Sequence, residues 1–323
     1  MNGPRILLTR RWPKAVEDAL RLNFEVTANS DDVPMTADQL KMAMRHYDAL
    51  CPTVSDRITA EILSVPDARV RIIGNYGVGL DHIDMRAAKA AGIVVTNTPD
   101  VLTESTAELT LLLILMASRR ASDGERELRS GHWTGWRPIH MLGWSLAGRT
   151  LGLVGFGRIA RATAQRARAA LGMRIAYFSR HRATPEDEEK LAATHCNSLD
   201  ELISIADVLS LHCPGGAETH HLINRHRLGQ MKRTAILINT ARGTIINEFE
   251  LAAALNSGQI AAAGLDVYES EPAIHAALLA ARNTVLLPHL CSATLETRTA
   301  MGMRVAENLG RFFTGEPPVD RVV

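Results

Sequence analysis

The sequence predicts an α/β protein of two domains, in which each domain is a parallel sheet with flanking helices. Three observations lead to this fold class. The chain has 323 residues, which exceeds the length at which a single hydrophobic core usually stops growing. Short apolar runs alternate with helical patterns in two separate series. The second series opens with a glycine-rich turn between a strand and a helix, which is typical of a doubly wound sheet.

The first series covers the first hundred residues. Its apolar runs predict strands at RILLT (5–9), DALC (48–51), VRIIG (70–74) and GIVVTN (92–97). Helical patterns lie between these strands, at 14–21, 37–46 and 84–91. Because parallel strands are joined by long crossovers that usually contain a helix, this alternation predicts a parallel sheet faced by helices.

The second series begins at residue 150 and has the same alternation. Its apolar runs predict strands at TLGLVG (150–155), RIAYF (174–178), DVLSLH (207–212), AILINT (235–240), AAAGLDV (261–267) and TVLLP (284–288). Helical patterns lie near 158–170, 199–205 and 248–257. Right-handed crossovers between such strands produce a doubly wound sheet.

Two long helical segments flank the second series, at 101–121 and 292–314. The last helix has no new sheet to join, so we expect it to return and pack on the first domain. The predicted division is therefore a discontinuous domain of 1–100 and 290–323, and a second domain of 101–289.

The bulk composition is that of an ordinary globular chain. With 36 Lys and Arg against 35 Asp and Glu, the net charge of +1 argues against a nucleic-acid or membrane-surface protein. The longest apolar run, LTLLLILMA at 109–117, is far shorter than the ~20 residues that a membrane crossing needs. The N-terminal residues do not resemble a signal peptide. We therefore expect a cytoplasmic protein.

Cysteine usage supports the same compartment. The cysteines are scattered without C-x-x-C pairs, which favours reduced structural thiols over zinc ligands or disulfide partners. They are Cys51, Cys196, Cys213 and Cys291.

The stretch GLVGFGRIA follows a predicted strand and opens a predicted helix, which is the context of a dinucleotide-binding turn. Gly155 and Gly157 allow the tight turn and the close approach of backbone to pyrophosphate. The N–H groups that follow, including those of Phe156, Arg158 and Ile159, are expected to face the phosphates at the helix N-terminus. A purely structural turn is the alternative, and the strand–turn–helix context favours the dinucleotide site.

The stretch AYFSRHR (176–182) shows which dinucleotide is expected. NAD-binding chains usually place an acid about 20 residues after the glycine turn, where it binds the ribose 2′-OH. Here Ser179 and Arg180 occupy that place, and a hydroxyl followed by a guanidinium suits a 2′-phosphate. A solvated basic turn is the alternative. We predict that NADP(H) is preferred, with NAD(H) as the second option, and that Arg180 rather than Arg182 binds the phosphate.

Three further stretches place reactive side chains at or just beyond the ends of predicted strands: NTARGTIINE (239–248), GLDVYESEP (264–272) and LLPHLCSAT (286–294). Together they supply Arg242, Asp266, Glu271 and His289. An arginine binds a carboxylate, a histidine moves the proton of an alcohol, and a carboxylate orients the histidine, so this set suits a 2-oxo acid. Taken singly, each residue has a structural alternative, such as a surface arginine or a helix-capping glutamate.

The whole set resembles the D-isomer-specific 2-hydroxyacid dehydrogenase family. The motifs VGFGRIA, NTARG, GLDVYESEP and PHLCSAT carry this resemblance along nearly the whole chain. Four other stretches look most like the glyoxylate/hydroxypyruvate reductases of that family: GNYGVGLDHID (74–84), NTPDVLTESTAE (97–108), GWRP (135–138) and YFSR (177–180). The resemblance implies a Rossmann-type cofactor domain inserted into a flavodoxin-like substrate domain.

The resemblance also implies roles for individual residues. Arg242, Glu271 and His289 occupy the family's catalytic positions, and Asp266 occupies the position that contacts the nicotinamide end of the cofactor. Arg242 is also counted as a substrate-binding residue.

Two pairs of neighbouring residues complete the implied site. Thr240 and Ala241, in the NTARG motif, are counted with the cofactor-binding residues. The backbone at Val78 and Gly79 falls where the family binds the substrate carboxylate.

Two departures from the family pattern are present, and neither removes a catalytic group. Cys291 stands where a glycine is common, and Ala160 replaces the third glycine of the turn. We expect Cys291 to pack rather than to react.

The predicted reaction is the NADPH-dependent reduction of a small 2-oxo acid, glyoxylate or hydroxypyruvate, to the D-2-hydroxy acid. In this reaction the protonated His289 acts as general acid and Glu271 orients it. Other 2-oxo acids, such as 2-ketogluconate, remain open as substrates. Phosphite is disfavoured because phosphite enzymes of this family carry a lysine where this chain has Val78.

Two readings from other classes also remain. One is a dinucleotide-sensing binding protein, as in corepressors with the same fold. The other is a metal-dependent hydrolase. It is disfavoured because no carboxylate or cysteine spacing completes a ligand set with the loop histidines, so we expect no metal site and treat these as surface histidines. They are His212, His220, His221 and His226.

A homodimer is the expected assembly. The apolar helix at 107–117 and a tryptophan-rich arm suggest a buried partner surface, and relatives in the family are commonly dimers. The arm contains Trp133, Trp136 and Trp144, which could equally pack a surface between domains or restrict the size of the substrate.

Overall fold

The computed structural model describes residues 3–323, which divide into two units. Unit 1 consists of the residues up to Leu102 together with Ser292–Val323, and unit 2 consists of Thr103–Cys291. Each unit contains a parallel sheet with flanking helices, so the predicted fold class is confirmed.

The elements are numbered in chain order. The strands are β1 (Arg5–Leu8), β2 (Glu25–Ala28), β3 (Ala49–Cys51), β4 (Ile72–Gly74), β5 (Val94–Thr96), β6 (Thr150–Val154), β7 (Arg174–Phe178), β8 (Ala193–His195), β9 (Val208–Leu211), β10 (Ile236–Asn239), β11 (Ala262–Leu265) and β12 (Thr284–Leu286). The helices are α1 (Lys14–Arg21), α2 (Ala37–His46), α3 (Ala60–Leu63), α4 (Met85–Ala90), α5 (Thr103–Ser118), α6 (Ala121–Arg129), α7 (Arg158–Leu171), α8 (Pro185–Leu191), α9 (Leu199–Ile205), α10 (Arg225–Gln230), α11 (Glu248–Asn256), α12 (Ala276–Leu279) and α13 (Leu295–Phe313).

The sheet of unit 1 has the strand order β2-β1-β3-β4-β5, and all of its strands are parallel. This is the flavodoxin-like order. Leu7, Leu50, Ile73 and Val95 come from four successive sheet positions and share one buried cluster. The edge strand β2 was not predicted, because its side chains are only exposed or half-buried and give no apolar run.

Local signals set the helix boundaries in unit 1. Thr36 and Gln39 form a reciprocal capping box at the start of α2, which satisfies two backbone N–H groups that the helix itself cannot. Both α1 and α2 have the predicted bounds. The last helix, α13, packs on α1 and β4, and it buries Val305 and Leu309 completely.

The sheet of unit 2 has the strand order β12-β11-β10-β9-β6-β7-β8, and it is also entirely parallel. Read from β8, this is the doubly wound order 3-2-1-4-5-6 with one strand added. The order reverses between β6 and β9. Ligands of such sheets bind beyond the carboxyl ends of the strands at this reversal.

The sheet of unit 2 is covered on both faces, which explains why its central strands were visible in the sequence. Leu209 and Leu237 belong to a cluster on one face, whereas Val208 and Ile236 belong to a cluster on the other face. Strands that are buried on both faces are continuous apolar runs. The edge strand β8 buries only its first residue and was not predicted.

The predicted helix over 101–121 is wrong in one respect. The structure has α5 and then α6, because Arg120 adopts a left-handed backbone with φ 53° that a continuous helix cannot contain. The short helices α3, α8, α10 and α12 were also not predicted. Across residues 3–323, none of the helices combines the length and the apolar character that a membrane crossing requires.

Candidate active site

The glycine turn lies between β6 and α7, at the reversal of the strand order. Gly155 has φ +88°, and a Cβ at this position would lie 2.9 Å from the carbonyl oxygen of His212, so a side chain does not fit. Gly157 is the N-cap of α7, and a Cβ there would meet no atom within 4 Å. Open space therefore lies before the first helical turn, which begins with Arg158 and Ile159. The N–H groups of such a turn suit a pyrophosphate, so the residues fit a dinucleotide.

The side chain of Phe156 points into the core rather than toward this space. It is 8% exposed and stacks on Tyr177, with ring centroids 3.9 Å apart. Tyr177 donates a hydrogen bond of 2.6 Å to Glu188 and accepts one of 2.9 Å from the Ala183 N–H. Phe156 thus offers a ligand only its backbone, and its ring supports the loop after β7.

The two arginines of the loop after β7 have different partners. Arg182 makes two hydrogen bonds of 2.9 Å to the carboxylate of Glu188. Arg180 pairs at 2.8 Å with Glu218, and both of these side chains are more than 70% exposed. Arg182 is therefore already held in a bidentate pair, whereas Arg180 is the arginine that can turn to a ligand. Ser179 is half-buried beside it.

Arg242 lies just beyond β10, in a turn that Asn239 holds. The Asn239 side chain donates to the Arg242 carbonyl at 2.8 Å and accepts from the Ala241 N–H at 3.0 Å. The next residue, Gly243, approaches the backbone at Tyr268 so closely that a Cβ would lie 1.8 Å from the Tyr268 carbonyl carbon. Only glycine permits this contact, and it brings the Arg242 turn against the segment that leads to the next catalytic candidate.

His289 and Glu271 form a hydrogen-bonded pair. The distance between His289 Nδ1 and Glu271 Oε2 is 2.8 Å. Glu271 is itself held, because its other oxygen accepts a hydrogen bond of 2.9 Å from the Tyr268 N–H. With a carboxylate as acceptor, Nδ1 carries the proton, and Nε2 is the ring nitrogen left to face a substrate.

The charges around His289 keep it protonated. Burial alone would lower its pKa, but hydrogen bonds and charge interactions with Cys291 and Glu271 raise the pKa to about 10. Burial by itself would raise the pKa of Glu271. The net pKa is lowered, mainly by the hydrogen bond from His289, and the charge of Arg242 lowers it further. Burial raises the pKa of Asp266, whose charge also acts on His289. An imidazolium beside a carboxylate and a guanidinium is a ready proton donor.

Asp266 positions the backbone that carries His289. Asp266 is fully buried, and its two oxygens accept hydrogen bonds of 2.7 and 2.8 Å from the N–H groups of Leu290 and Cys291. The His289 N–H donates to the Asp266 carbonyl at 2.9 Å. His289 has φ 55°, a strained conformation for a non-glycine residue, and these three bonds hold it there. The contact of Asp266 with a nicotinamide stays a prediction.

Comparison with known proteins places this arrangement in a family. The family model for the NAD-binding domain of D-isomer-specific 2-hydroxyacid dehydrogenases matches residues 111–291, which is more than half of the chain. The chain belongs to this dehydrogenase family. Its members are oxidoreductases, so the expected class of enzyme is confirmed.

Relatives within the family are similar over the whole chain. A glyoxylate reductase of Thermococcus onnurineus (strain NA1) is 44% identical over 319 residues, which cover 98% of this chain and 94% of the relative. The crystal structure of a glyoxylate reductase from Paecilomyes thermophila superposes with a TM-score of 0.87 at 33% identity, covering 100% of this chain and 99% of that one. An NADPH-dependent glyoxylate/hydroxypyruvate reductase from Sinorhizobium meliloti, solved with NADP and malonate, has a TM-score of 0.85 at 36% identity, covering 100% and 97%.

The remaining residues that were predicted to contact cofactor or substrate lie in different surroundings. Thr240 is 6% exposed, and its hydroxyl lies 3.0 Å from that of Thr110, so its side chain faces the interior of unit 2. Ala241 is half-buried. Val78 and Gly79 lie in unit 1, where the side chains of Asn97 and Asn75 donate to their carbonyls.

The two departures from the family pattern have different consequences. Ala160 is fully buried at the start of α7, where only a small side chain lets the helix approach the sheet. Cys291 is half-buried, and its backbone N–H donates a hydrogen bond of 2.8 Å to Asp266. The expectation that the Cys291 side chain packs rather than reacts stays a prediction.

The prediction about the loop histidines needs correction. His212 is half-buried rather than a surface residue, with Nε2 2.9 Å from the Ser210 hydroxyl, and burial lowers the pKa of His212 to about 4. His226 is exposed but lies on α10, not in a loop. His220 and His221 meet the carboxylate of Glu269, about 50 residues further along the chain. A carboxylate at this distance in sequence is not visible as a spacing motif.

Several residues that shape the site were not found in the sequence. Asn239 begins the NTARG motif, which could have drawn attention to it. Glu188 and Glu218, the partners of the two arginines, have no sequence signal that connects them to the loop after β7.

Proposed function

We propose that this dehydrogenase reduces a small 2-oxo acid, glyoxylate or hydroxypyruvate, to the D-2-hydroxy acid with NADPH. The observation that carries the proposal is the 2.8 Å pair of His289 Nδ1 and Glu271 Oε2, with Arg242 close enough to lower the pKa of Glu271. The names of the glyoxylate reductase and glyoxylate/hydroxypyruvate reductase relatives support the choice of substrate.

The chain's own groups account for the polar steps of this reaction. The Arg242 guanidinium binds the carboxylate of the 2-oxo acid and polarises the adjacent carbonyl. His289 donates its Nε2 proton to the carbonyl oxygen as negative charge develops there. Glu271 fixes the ring orientation and stabilises the imidazolium. General acid catalysis of this kind contributes about 10²- to 10⁴-fold to the rate.

The reduced nicotinamide supplies the hydride for this reaction when it is bound. Gly155, Gly157 and the first turn of α7 would hold its pyrophosphate. Ser179 and Arg180 would bind the 2′-phosphate of NADPH, since Ser179 stands where an NAD-binding chain usually has an acid that would repel it. The exposed Arg180 needs only to exchange the Glu218 carboxylate for the phosphate.

A panel of 2-oxo acids with both cofactors tests the proposal. Glyoxylate, hydroxypyruvate and 2-ketogluconate are offered with NADPH and with NADH, and turnover is followed by nicotinamide absorbance. We expect glyoxylate or hydroxypyruvate to have the highest kcat/KM, with NADPH preferred by about tenfold or more, which corresponds to a difference of at least ~1.4 kcal/mol in binding. Preference for 2-ketogluconate would move the substrate assignment to larger acids. Binding of NADPH without turnover of any acid would favour a dinucleotide-sensing protein.

The proposed assembly is a homodimer. The segment after α6 exposes large apolar side chains to solvent, including Trp136 at 82% and Ile139 at 83%. Trp133 and Leu142 are more than half exposed as well. Several large apolar side chains exposed along one segment favour a partner surface there, and a second copy of the chain is the partner we propose.

A further inference from the structure

A second cluster of reactive side chains lies in unit 2. His221 Nε2 lies 2.7 Å from Glu269 Oε1, and His220 Nε2 lies 3.8 Å from the same oxygen. The two imidazole rings stack with centroids 4.0 Å apart. One ligand atom from each of the three residues lies within 4.8 Å of the others. The two predicted proton-transfer residues of the 2-oxo acid site, Glu271 and His289, are not members of this cluster.

We infer that His220, His221 and Glu269 bind a divalent transition-metal ion such as Zn²⁺. Two imidazoles and one carboxylate are ligands that Zn²⁺ prefers, and hard cations such as Mg²⁺ would prefer oxygen ligands. With metal–ligand bonds of about 2.0–2.1 Å in a tetrahedron, ligand atoms lie about 3.3 Å apart. The two observed separations, 2.7 and 3.8 Å, lie on either side of this value. Side-chain rotations that also unstack the two imidazole rings would bring the three atoms to a common ion.

The backbone holds both sides of the cluster in place. His221 has φ 48°, and this left-handed turn lets two successive rings stack instead of pointing to opposite sides of the chain. The His221 N–H donates to the Thr244 carbonyl at 2.8 Å. The Glu269 N–H donates at 2.7 Å to Glu248, a buried carboxylate. The backbone that carries His221 and Glu269 is therefore held in place before any ion binds, which lowers the entropic cost of binding.

The electrostatics of the cluster suit a cation that arrives from solvent. With neutral imidazoles, the three ligands carry one negative charge. His220 is 54% exposed, and the side chains of His221 and Glu269 are each 31% exposed. One or two water molecules can therefore complete the coordination of an ion at this position.

A bound ion would join two loops that flank the Arg242 turn. His220 and His221 lie in the loop after β9, which also contains Gly215, and a Cβ at Gly215 would lie 3.0 Å from Arg242 Cγ. Glu269 lies in the segment that leads to Glu271. The ion acts as a clamp between the two loops, and no proton or hydride step requires it.

Metal titration of the full chain tests this inference. Tag-free protein is treated with EDTA, dialysed, and titrated with Zn²⁺ by calorimetry and with Co²⁺ by visible absorption. We expect one ion per chain, Co²⁺ bands without thiolate charge transfer, and a rise in Tm with Zn²⁺. Glu269→Gln and His220→Ala should each weaken binding at least about tenfold. His226→Ala, which removes a neighbouring exposed histidine outside the cluster, should bind like the unmodified protein.

Three outcomes would contradict the proposed metal site. Absence of saturable binding, thiolate bands that place the ion on a cysteine, or equal weakening by His226→Ala would overturn the site. Melting curves without metal show whether each variant is folded. If His220→Ala fails to fold, Glu269→Gln alone decides, because it keeps the size of the side chain and its backbone hydrogen bond. No substrate or nicotinamide is present, so the result is independent of the proposed reductase activity.

Discussion

Replacing Glu271 with Gln should lower the pH at which reductase activity is lost. The substitution keeps the shape of the side chain and an oxygen that can accept from the Tyr268 N–H, but it removes the charge 2.8 Å from His289. The pKa of His289 is raised to about 10 in the folded chain, so the imidazolium that the proposed reaction requires is present below this pH and lost above it. We expect kcat/KM for glyoxylate reduction to be constant through neutral pH and to fall as the pH rises through about 10.

The expected shift in the pKa of His289 follows from the strength of its contact with Glu271. A hydrogen bond to a charged group contributes about 1.5–3 kcal/mol and a neutral one about 0.5–1.5 kcal/mol, so comparing like ends of the two ranges gives an expected loss of about 1–1.5 kcal/mol from the hydrogen bond. A pair of unit charges about 4 Å apart in a partly screened site interacts by about 4 kcal/mol, which sets the upper limit. The pH above which activity falls is the alkaline limit. With 1.36 kcal/mol for each pKa unit, this limit should decrease by about one to three pH units.

The assay is kcat/KM against pH from about 6 to 11, since this ratio reports the pKa values of the free enzyme. EDTA is present throughout, so that metal binding does not contribute. At pH 9 the variant should be about 2- to 100-fold slower than the unmodified chain from protonation alone. Glu271→Asp is the matched control, because it retains the charge and should keep a higher alkaline limit than the Gln variant. An alkaline limit that is identical in all three proteins would refute the role of Glu271.

Four further predictions concern other parts of the molecule. His289→Gln should lower kcat by about 10²- to 10⁴-fold without changing the KM for NADPH, and near-normal turnover in steady-state assays would exclude the proton-donor role. Gly157→Ala should melt like the unmodified chain, because its Cβ meets no atom within 4 Å, yet it should raise the KM for NADPH about tenfold or more. Arg180→Ala should raise the KM for NADPH by about 10- to 100-fold and leave that for NADH unchanged, whereas Arg182→Ala should not change their ratio. Trp136→Ser should shift the protein from dimer toward monomer in sedimentation velocity, and a monomeric unmodified chain would contradict the proposed assembly.

The central strands of unit 2 and the glycine turn after β6 were predictable from the sequence, because each depends on local chemistry. β6, β9 and β10 are covered by helices on both faces, so the chain must supply continuous apolar residues there. Gly155 was predictable because a left-handed turn against another strand end excludes a side chain. The break at Arg120 was not predictable, because a left-handed arginine has no signature in the surrounding helical pattern.

The tertiary structure decided which groups form hydrogen bonds when they lie far apart in sequence. The sequence placed Arg180 and Arg182 in one basic loop, but the fold showed that Glu188 holds Arg182 while the exposed carboxylate of Glu218 pairs with Arg180. It also placed Asp266 in the site, whereas the fold buried its carboxylate under the backbone that follows His289.

The sequence by itself therefore determined the sheet type, the strand–turn–helix motif and the identity of the reactive groups, because these depend on apolar periodicity, backbone freedom and side-chain chemistry. Only the tertiary structure decided which groups touch. The pKa of His289 depends on the charges within hydrogen-bond distance, and the meeting of His221 with Glu269 depends on two loops at one edge of the sheet. Such contacts arise from the packing of elements, which no short stretch of sequence records.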